Sequence, residues 1–243
     1  MFLSSCELNP VRRGARKLLG SPQAMHAAVM SCFPRSQTQQ VGRVLWRLDK
    51  TDASTTIYVV STQPPDFTSL AEQAGWPEAP SHRSIDYRKN LNSIHDGDLY
   101  SFRLTANPAR AVRVAKDSRT KRLGHVTAQQ QEQWLLDRSL KNGFEIPLII
   151  GGKPSEPAAL EANLQDRAFQ VIRRGTLSFH RNHEGKQGTV TLTQATYAGV
   201  LRVVNSDGLR SVLVNGLGQA KAYGCGLQTL AKPPSGSPRR SNE

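Results

Sequence analysis

Cysteine is scarce in this chain of 243 residues, which contains only three, Cys6, Cys32 and Cys225. None of them forms a Cys-x-x-Cys pair or has the cysteine and histidine spacing of a zinc site, so the sequence indicates neither a disulfide framework nor a structural metal. The chain also lacks an apolar run of the ~20 residues that a membrane-spanning helix needs. Its first residues lack the charged stretch that opens a secretory signal. These absences predict a soluble protein of the reducing cytoplasm.

Acidic residues are also few: Asp and Glu number 19 against 32 Lys and Arg, which gives a net charge of +13. Such a surplus favours a polyanionic partner, because neutralising its charges releases condensed counterions. Nucleic acid is the partner that we expect. A lipid surface is the competing polyanion, and the missing apolar run disfavours it. The length suits two domains of ordinary size.

A glycine-rich segment at residues 215–227 is the most informative part of the chain. Its glycines and its lysine are Gly216, Gly218, Lys221, Gly224 and Gly226. Glycine lets peptide N–H groups approach an anion closely, because no Cβ stands in the way and positive φ costs little. The segment matches neither the dinucleotide-binding fingerprint nor the P-loop. Two interpretations remain: a set of simple turns, or a cradle for the phosphates of a nucleic-acid backbone.

The first 94 residues are predicted to form a β-α-β-β-α unit, with or without a short closing strand. Ser21 followed by Pro22 is typical of a helix start, and the apolar residues of that helix recur on one face. The predicted elements are strands at residues 2–8, 43–48 and 55–60, a helix at 22–33 and a short helix from residue 66.

Residues 95–231 repeat this order of elements. Thr127 and Gln130 have the spacing of a capping box, which predicts the start of a helix that runs to about residue 141. The other predicted elements are strands at 98–105, 168–179, 189–204 (bulged near Gly199) and 226–230 and a helix at 206–217. The two units predict an α+β fold of two tandem ferredoxin-like βαββαβ domains, the layout of RNA-recognition domains. Residues 232–243 lack apolar side chains and are predicted to be a disordered tail.

Five short motifs are shared with a known family. They are Leu8-Asn9-Pro10, Pro22-x-x-Met25-His26, Leu45-Trp46-Arg47-Leu48, Phe102-Arg103-Leu104-x-Ala106-Asn107-Pro108 and the glycine-rich segment. Each is weak alone, but five in one order over nearly the whole chain are specific. The chain resembles the CasE family, the CRISPR RNA-processing endoribonuclease subunits of the type I-E Cascade complex. The resemblance implies cleavage of the repeat hairpin of precursor CRISPR RNA at its 3′ base, and retention of the mature guide RNA with the other Cascade subunits.

His26 is the candidate catalytic residue. RNA is cut without a metal when its own 2′-hydroxyl attacks the neighbouring phosphorus, and this route needs a proton acceptor, a proton donor and positive charge. A histidine suits the proton transfers because its ordinary pKa of ~6.5 leaves both forms available near neutrality. Most helix histidines have no chemical role, but the resemblance implies that this one is catalytic, as acid or base. Several relatives have a tyrosine where this chain has Gln23, so we hypothesise that Tyr223 or Lys221 supplies the missing polar contact.

The sequence indicates no metal site and no cofactor. His180 and His183 are three residues apart, but cationic neighbours surround them and disfavour a bound cation. No pair of acidic residues suggests a two-metal nuclease. We therefore expect metal-independent cleavage that gives a 2′,3′-cyclic phosphate and a 5′-hydroxyl.

Several basic clusters are candidates for RNA binding. Arg173 and Arg174 lie on a predicted strand that leads into a basic hairpin, and the resemblance implies that such a hairpin contacts the repeat stem. The other candidates, besides the glycine-rich segment, are Arg110, Arg113, Lys116, Lys121 and Arg122. A run of charge is often only a solvated face. Here the surplus recurs on several segments, and phosphate contacts require nothing beyond cations.

The leading hypothesis is an endoribonuclease that is monomeric in isolation, binds CRISPR repeat RNA and associates with no membrane. The alternative is a non-catalytic RNA-binding subunit of a ribonucleoprotein complex, in which His26 has no chemical part. A DNA-binding regulator is disfavoured because the sequence has no helix-turn-helix pattern.

Overall fold

Two sheets with the same strand order form the centre of the molecule, and helices cover one face of each. The structure is a computed structural model that describes residues 1–34, 43–77, 82–112, 121–150, 153–155, 167–183 and 186–233. The elements of the first unit are β1 (Phe2–Leu8), α1 (Arg13–Leu19), α2 (Pro22–Ser31), β2 (Leu45–Lys50), β3 (Thr55–Ser61), α3 (Thr68–Ala74), β4 (His82–Asp86) and α4 (Arg88–Asn92). Those of the second unit are β5 (Leu99–Ala106), β6 (Ala109–Val112), β7 (Lys121–Gly124), α5 (Ala128–Ser139), β8 (Phe144–Glu145), β9 (Leu148–Ile150), β10 (Lys153–Ser155), β11 (Phe169–His183), β12 (Lys186–Val203), α6 (Ser206–Asn215) and β13 (Gln228–Ala231).

The first sheet has the order β2-β3-β1-β4, and each neighbouring pair is antiparallel. Its side chains alternate between two faces, as the pleat of a strand requires. Cys6, Ile57 and Val59 pack against the helices of the first unit. Leu45 and Val60 belong to a second cluster that they share with residues of the second unit. Both faces of this sheet are therefore partly covered.

The second sheet repeats the pattern with the order β11-β12-β5-β13, and the short β8 pairs with the end of β12. In the first sheet β1 lies between β3 and β4, and in the second sheet β5 lies between β12 and β13. Thr127 accepts a hydrogen bond from the Gln130 N–H (3.2 Å), so the predicted capping box opens α5. The predicted α+β fold of two tandem ferredoxin-like units is confirmed.

The strand irregularity lies in β11, where the register shifts between Val171 and Arg173, and not in β12 near Gly199 as predicted. The glycine at position 199 is explained by close packing and not by a bulge. A Cβ at this position would collide with the backbone of Ala168 and Phe169, so glycine permits the close approach of the neighbouring chain.

Arg47 joins the two units. It lies on β2 and is 1% exposed. Its guanidinium donates to both carboxylate oxygens of Asp49 (2.7 and 2.9 Å), and in the second unit to the carbonyls of Arg103 (2.7 Å) and Leu227 (3.1 Å) and to Thr229 Oγ1 (2.8 Å). All five N–H donors of an arginine are therefore satisfied in a site that water does not reach.

Arg210 of α6 makes a second connection, to the end of α4. Its guanidinium donates to the carbonyl of Leu91 (2.9 Å) and to that of Ile94. The Ile94 side chain is buried in the cluster that both units share. A division of the chain at residues 94 and 95 stays a prediction.

Two further predictions concern the C-terminal tail and the absence of a membrane-spanning helix. Of the predicted tail at residues 232–243, residues 234–243 lie outside the described residues. In the part of the chain that the structure describes, no helix is both long and apolar enough to cross a membrane.

Replacement of Arg47 by methionine should lower the free energy of unfolding by about 3 kcal/mol, because it leaves two carbonyl oxygens without this donor and leaves the largely buried Asp49 carboxylate with only the longer contact to Arg103 (3.4 Å). Urea unfolding followed by tryptophan fluorescence measures the loss. Arg88→Met is the matched control, since the Arg88 side chain is 68% exposed in its pair with Asp86 and exposed pairs contribute little. An unchanged midpoint for Arg47→Met would contradict this account of the contact between the units.

Candidate active site and nucleic-acid interface

His26 lies on α2, just beyond the first turn of the helix. Ser21 caps the helix by accepting a hydrogen bond from the Ala24 N–H (3.2 Å), and Pro22 occupies its first position, as the sequence predicts. Met25 is buried against the first sheet, and the adjacent His26 is half-buried. Burial lowers the pKa of His26 below its ordinary value of 6.5, because the charged ring loses hydration.

Trp46 contacts the ring of His26. The indole Nε1–H of Trp46 donates to Nδ1 of His26 over 3.3 Å, and Trp46 is only 3% exposed. A nitrogen that accepts a hydrogen bond carries no proton, so the neutral ring has its proton on Nε2. Among the described residues, Nε2 has no hydrogen-bond partner.

The glycine-rich segment is hydrogen-bonded to two strands of the second sheet, β5 and β12. The Gly226 N–H donates to the carbonyl of Thr105 (2.7 Å), and the Gln194 amide donates to the carbonyl of Tyr223 (3.0 Å). On its other side, the 3-10 turn Lys221–Tyr223 packs against α2. The structure thus brings the segment together with the helix of the candidate catalytic histidine.

The four glycines of this segment have positive φ angles between 76° and 95°. A Cβ at each of them would meet protein atoms: Leu45 at Gly216, Trp134 at Gly218, Trp46 at Gly224 and Leu217 at Gly226. Backbone conformation and close packing therefore account for the glycines without a ligand, which favours the interpretation as turns. Contact of these glycines with RNA stays a prediction.

A cleft of about 200 Å³ opens between the two units, beside the start of α2. Pro22, Met25 and Trp46 line it from the first unit. Thr105 and Thr196 line it from the second, where their hydroxyls are hydrogen-bonded to each other at 2.9 Å. The cleft is thus half apolar and half polar, and it begins next to the contact between tryptophan and histidine.

Two cations from different units line this cleft, Lys50 at the end of β2 and Arg173 on β11. The pKa of Lys50 is lowered by burial and, second, by the charge of Arg173. Among the described residues, neither side chain forms a salt bridge. Two like charges at one cleft favour a bound anion, because an anion relieves their repulsion.

Lys50 is a cleft residue that no sequence motif indicated. The residue follows Trp46 and Leu48 at steps of two along β2, and all three line the same cleft. Because side chains of a strand alternate between its faces, this spacing is the signal that could have found it.

Arg173 and Arg174 do not share a surface. Arg173 is at the cleft, whereas the charge of Arg174 acts on Glu132 of α5, where it partly offsets the rise that burial causes in the pKa of that carboxyl. Successive residues of a strand point to opposite faces, so the pair cannot act as the single basic patch that its sequence suggests. RNA binding by each arginine stays a prediction.

Three of the other basic candidates, Arg110, Lys121 and Arg122, lie on a two-stranded ribbon formed by β6 and β7. Arg110 is exposed on β6. Lys121 and Arg122 lie on β7, where the structure describes their backbone but not their side chains. Arg113 and Lys116 lie outside the described residues. Their contacts with RNA stay predictions.

Tyr223 and Lys221, the two hypothesised substitutes for the tyrosine that Gln23 replaces, belong to the turn that packs on α2. Burial and then the charge of Arg43 lower the pKa of Lys221. The contact between this turn and α2 is compatible with the hypothesis that Tyr223 or Lys221 supplies the missing polar contact, and the hypothesis stays a prediction.

The described residues contain no group of three or more His, Cys, Asp or Glu side chains that could hold a metal ion. The side chains of His180 and His183 are outside the described parts. The described side chains offer positive charge at the cleft from a lysine and an arginine, and proton transfer by a histidine that contacts the cleft residue Trp46.

Comparison with known proteins finds relatives over almost the whole chain. The CRISPR-associated endoribonuclease Cse3 of Thermus thermophilus is 28% identical over 237 residues, which are 95% of this chain and 100% of that protein. A structure of Cse3 bound to a 19-nucleotide RNA has a TM-score of 0.71, and one of Thermus thermophilus Cse3 bound to an RNA that represents a pre-cleavage complex has a TM-score of 0.68. Both are 26% identical to this chain, with 95% of this chain and 98% of the other covered.

The family assignment rests on the chain as a whole. The resemblance inferred from five short motifs is confirmed by these relatives, which span the same two units. A family model described as CRISPR associated protein matches residues 1–232, and the chain belongs to this family.

Proposed function

We propose that this protein is a CRISPR-associated endoribonuclease that binds the repeat hairpin of precursor CRISPR RNA and cleaves at its 3′ base. The observation that carries the proposal is the contact of His26 with Trp46. His26 is not itself among the residues that line the cleft, but Trp46 is, together with Lys50 and Arg173 from two different units. The relationship to the endoribonuclease Cse3 supports the same activity, because the similarity covers the full length of Cse3.

The proposed reaction is an internal transfer within the RNA. The 2′-hydroxyl oxygen loses its proton and forms a bond to the adjacent phosphorus, the bond from phosphorus to the 5′ oxygen breaks, and that oxygen gains a proton. The products are a 2′,3′-cyclic phosphate and a 5′-hydroxyl. His26 serves one of these proton transfers, and the cleft cations stabilise the charge that develops on the phosphorus oxygens. No metal ion is part of this proposal.

The proposal also covers partners and location. After cleavage the protein retains the mature guide RNA and assembles with the other Cascade subunits, as expected of a member of this family; structures of CRISPR RNA-guided surveillance complexes contain chains of the same fold. We place it in the cytoplasm, where its RNA substrate is made, as a monomer when isolated. The tandem units at residues 1–94 and 95–231 form its two domains.

Substitution His26→Ala should lower the rate of cleavage of repeat RNA at least about 100-fold in the presence of EDTA, because it removes the group that moves a proton at the scissile phosphate. Single-turnover cleavage of end-labelled RNA measures the rate. His95→Ala is the control, since the His95 side chain is 72% exposed beside Asp98. Equal rates for His26→Ala and wild type would remove the catalytic assignment and leave the non-catalytic RNA-binding subunit as the better hypothesis.

A single deoxyribose immediately upstream of the scissile phosphate should abolish cleavage and leave binding intact, because it removes the nucleophile but no phosphate. Gel analysis of cleavage and filter binding of the same RNA give the two readouts. If the modified RNA is still cut at that phosphate, attack by the 2′-hydroxyl is wrong.

The double substitution Lys50→Met with Arg173→Met should weaken RNA binding and reduce its salt dependence. Each lost phosphate contact is expected to change the slope of log affinity against log salt by about 0.7 to 0.9. Filter binding at several salt concentrations, in a His26→Ala background that prevents cutting, measures both. Lys89→Met is the control, because Lys89 is exposed on α4 and does not line the cleft. A slope identical to that of the control would exclude the cleft as an RNA contact.

A further inference from the structure

The hydrogen bond between Trp46 and His26 is supported from two sides. Trp46 is buried in the core of the first unit, among the residues of the first sheet and its helices. On its other side lies Gly224, where a Cβ would be 2.8 Å from the indole Cζ3 atom. The glycine-rich segment thus closes over the indole, and the segment is itself fixed to the second sheet through the Gln194 amide. The indole is therefore held in place by both units.

A fixed indole N–H selects one form of the imidazole. If the ring carried its proton on Nδ1, that N–H would point at the N–H of Trp46 and the buried indole donor would be left unpaired. The loss of one such hydrogen bond disfavours the Nδ1–H tautomer by roughly five- to 100-fold. The same bond opposes protonation, because an imidazolium has hydrogen on both nitrogens.

Charged groups also surround α2. Among the described residues, the elements that pack against this helix carry Arg13, Arg16 and Lys17 on α1 and Lys221 on the 3-10 turn. Lys50 lines the adjoining cleft. The N–H of Asp66 donates to the carbonyl of Cys32 beyond the far end of the helix, which puts a carboxylate near that end. The lowered pKa of His26 is caused by burial and not by these charges.

We propose that Trp46 is a positioning residue that fixes His26 as the Nε2–H tautomer, so that His26 meets the scissile phosphate as a hydrogen-bond donor. A general base would need a bare Nε2, which exists only in the tautomer that Trp46 disfavours. His26 therefore donates its Nε2–H proton to the 5′ oxygen as that oxygen leaves phosphorus and gains charge. The ring takes a proton back from solvent, and a group other than His26 accepts the proton of the 2′-hydroxyl. The part of this inference that concerns RNA rests on the proposed function; the tautomer does not.

The substitution Trp46→Phe tests the inference, because phenylalanine keeps an aromatic side chain at this position but has no N–H. In 15N NMR spectra of histidine-labelled protein, wild-type His26 should show the Nε2–H pattern. In Trp46→Phe the Nδ1–H form should become populated and the pKa of His26 should rise toward its ordinary value, because the bond that favours the neutral ring is gone. An unchanged tautomer and an unchanged titration in Trp46→Phe would overturn the proposal.

The matched control is Trp134→Phe, which changes a tryptophan that is 3% exposed in the core of the second unit. It should leave the tautomer and the titration of His26 unchanged. If it shifts them as much as Trp46→Phe does, the effect is one of general packing and the assignment to Trp46 is wrong.

A measurement on the wild type keeps the test valid if Trp46→Phe does not fold. The chain has three tryptophans, so three indole N–H signals are expected. One of them, that of Trp46, should shift as His26 titrates, and it should stop doing so in His26→Ala. If no indole signal follows the titration of His26, the hydrogen bond is absent in solution and the proposal fails.

Cleavage assays separate this inference from the proposed function. In folded Trp46→Phe, single-turnover cleavage at saturating protein should fall about tenfold, because the orientation of the His26 ring is lost. A wild-type protein that cuts no repeat RNA would remove the proposed function and leave the NMR result intact. A wild-type protein that cuts RNA, together with unchanged NMR spectra in Trp46→Phe, would remove only the role of Trp46.

Discussion

The guanidinium of Arg47 is the contact on which the site depends. It is buried on β2 and satisfies all its donors with one carboxylate of its own unit and three oxygen atoms of the other. Trp46 directly precedes it, and Lys50 ends the same strand, on the cleft side. Because side chains of a strand alternate, holding Arg47 against the second unit necessarily turns its neighbours toward the cleft. The position of the strand therefore sets the position of the indole, and the indole contacts the candidate catalytic histidine.

Most of the fold could be predicted from local signals. Ser21 with Pro22 and the capping box at Thr127 mark two helix starts, and alternating apolar residues mark the strands of both sheets. α1 could not be predicted in this way, since three of its seven residues are Arg13, Arg16 and Lys17 and it has the composition of a solvated basic run. It is a helix because Ala15 and Leu18 are buried against neighbouring helices. Only tertiary contacts supply that stabilisation.

The site was less accessible to sequence reasoning than the fold. Chemistry alone did not distinguish His26 from the other histidines, and the family resemblance selected it. Its partner Trp46 is 20 residues away on another element, so no local spacing connects them. The glycine-rich segment shows the same limit of sequence reasoning. Its glycines suggest backbone with positive φ angles, which the structure has. Only the packed structure shows that the indole of Trp46 fills the space at Gly224.

The two cations of the cleft bear on how the units are held together. Lys50 and Arg173 repel each other only weakly, because both side chains are exposed to solvent. Cations at the contact itself would add to this repulsion if they lacked partners. Arg47 and Arg210 avoid this, because their guanidinium groups are directed at backbone carbonyls and at carboxylates of their own units. The remaining contact is apolar, including Leu45, Val60 and Ile94. Such a contact does not weaken with salt, so the cleft can keep its unpaired positive charge for a polyanion without losing its shape.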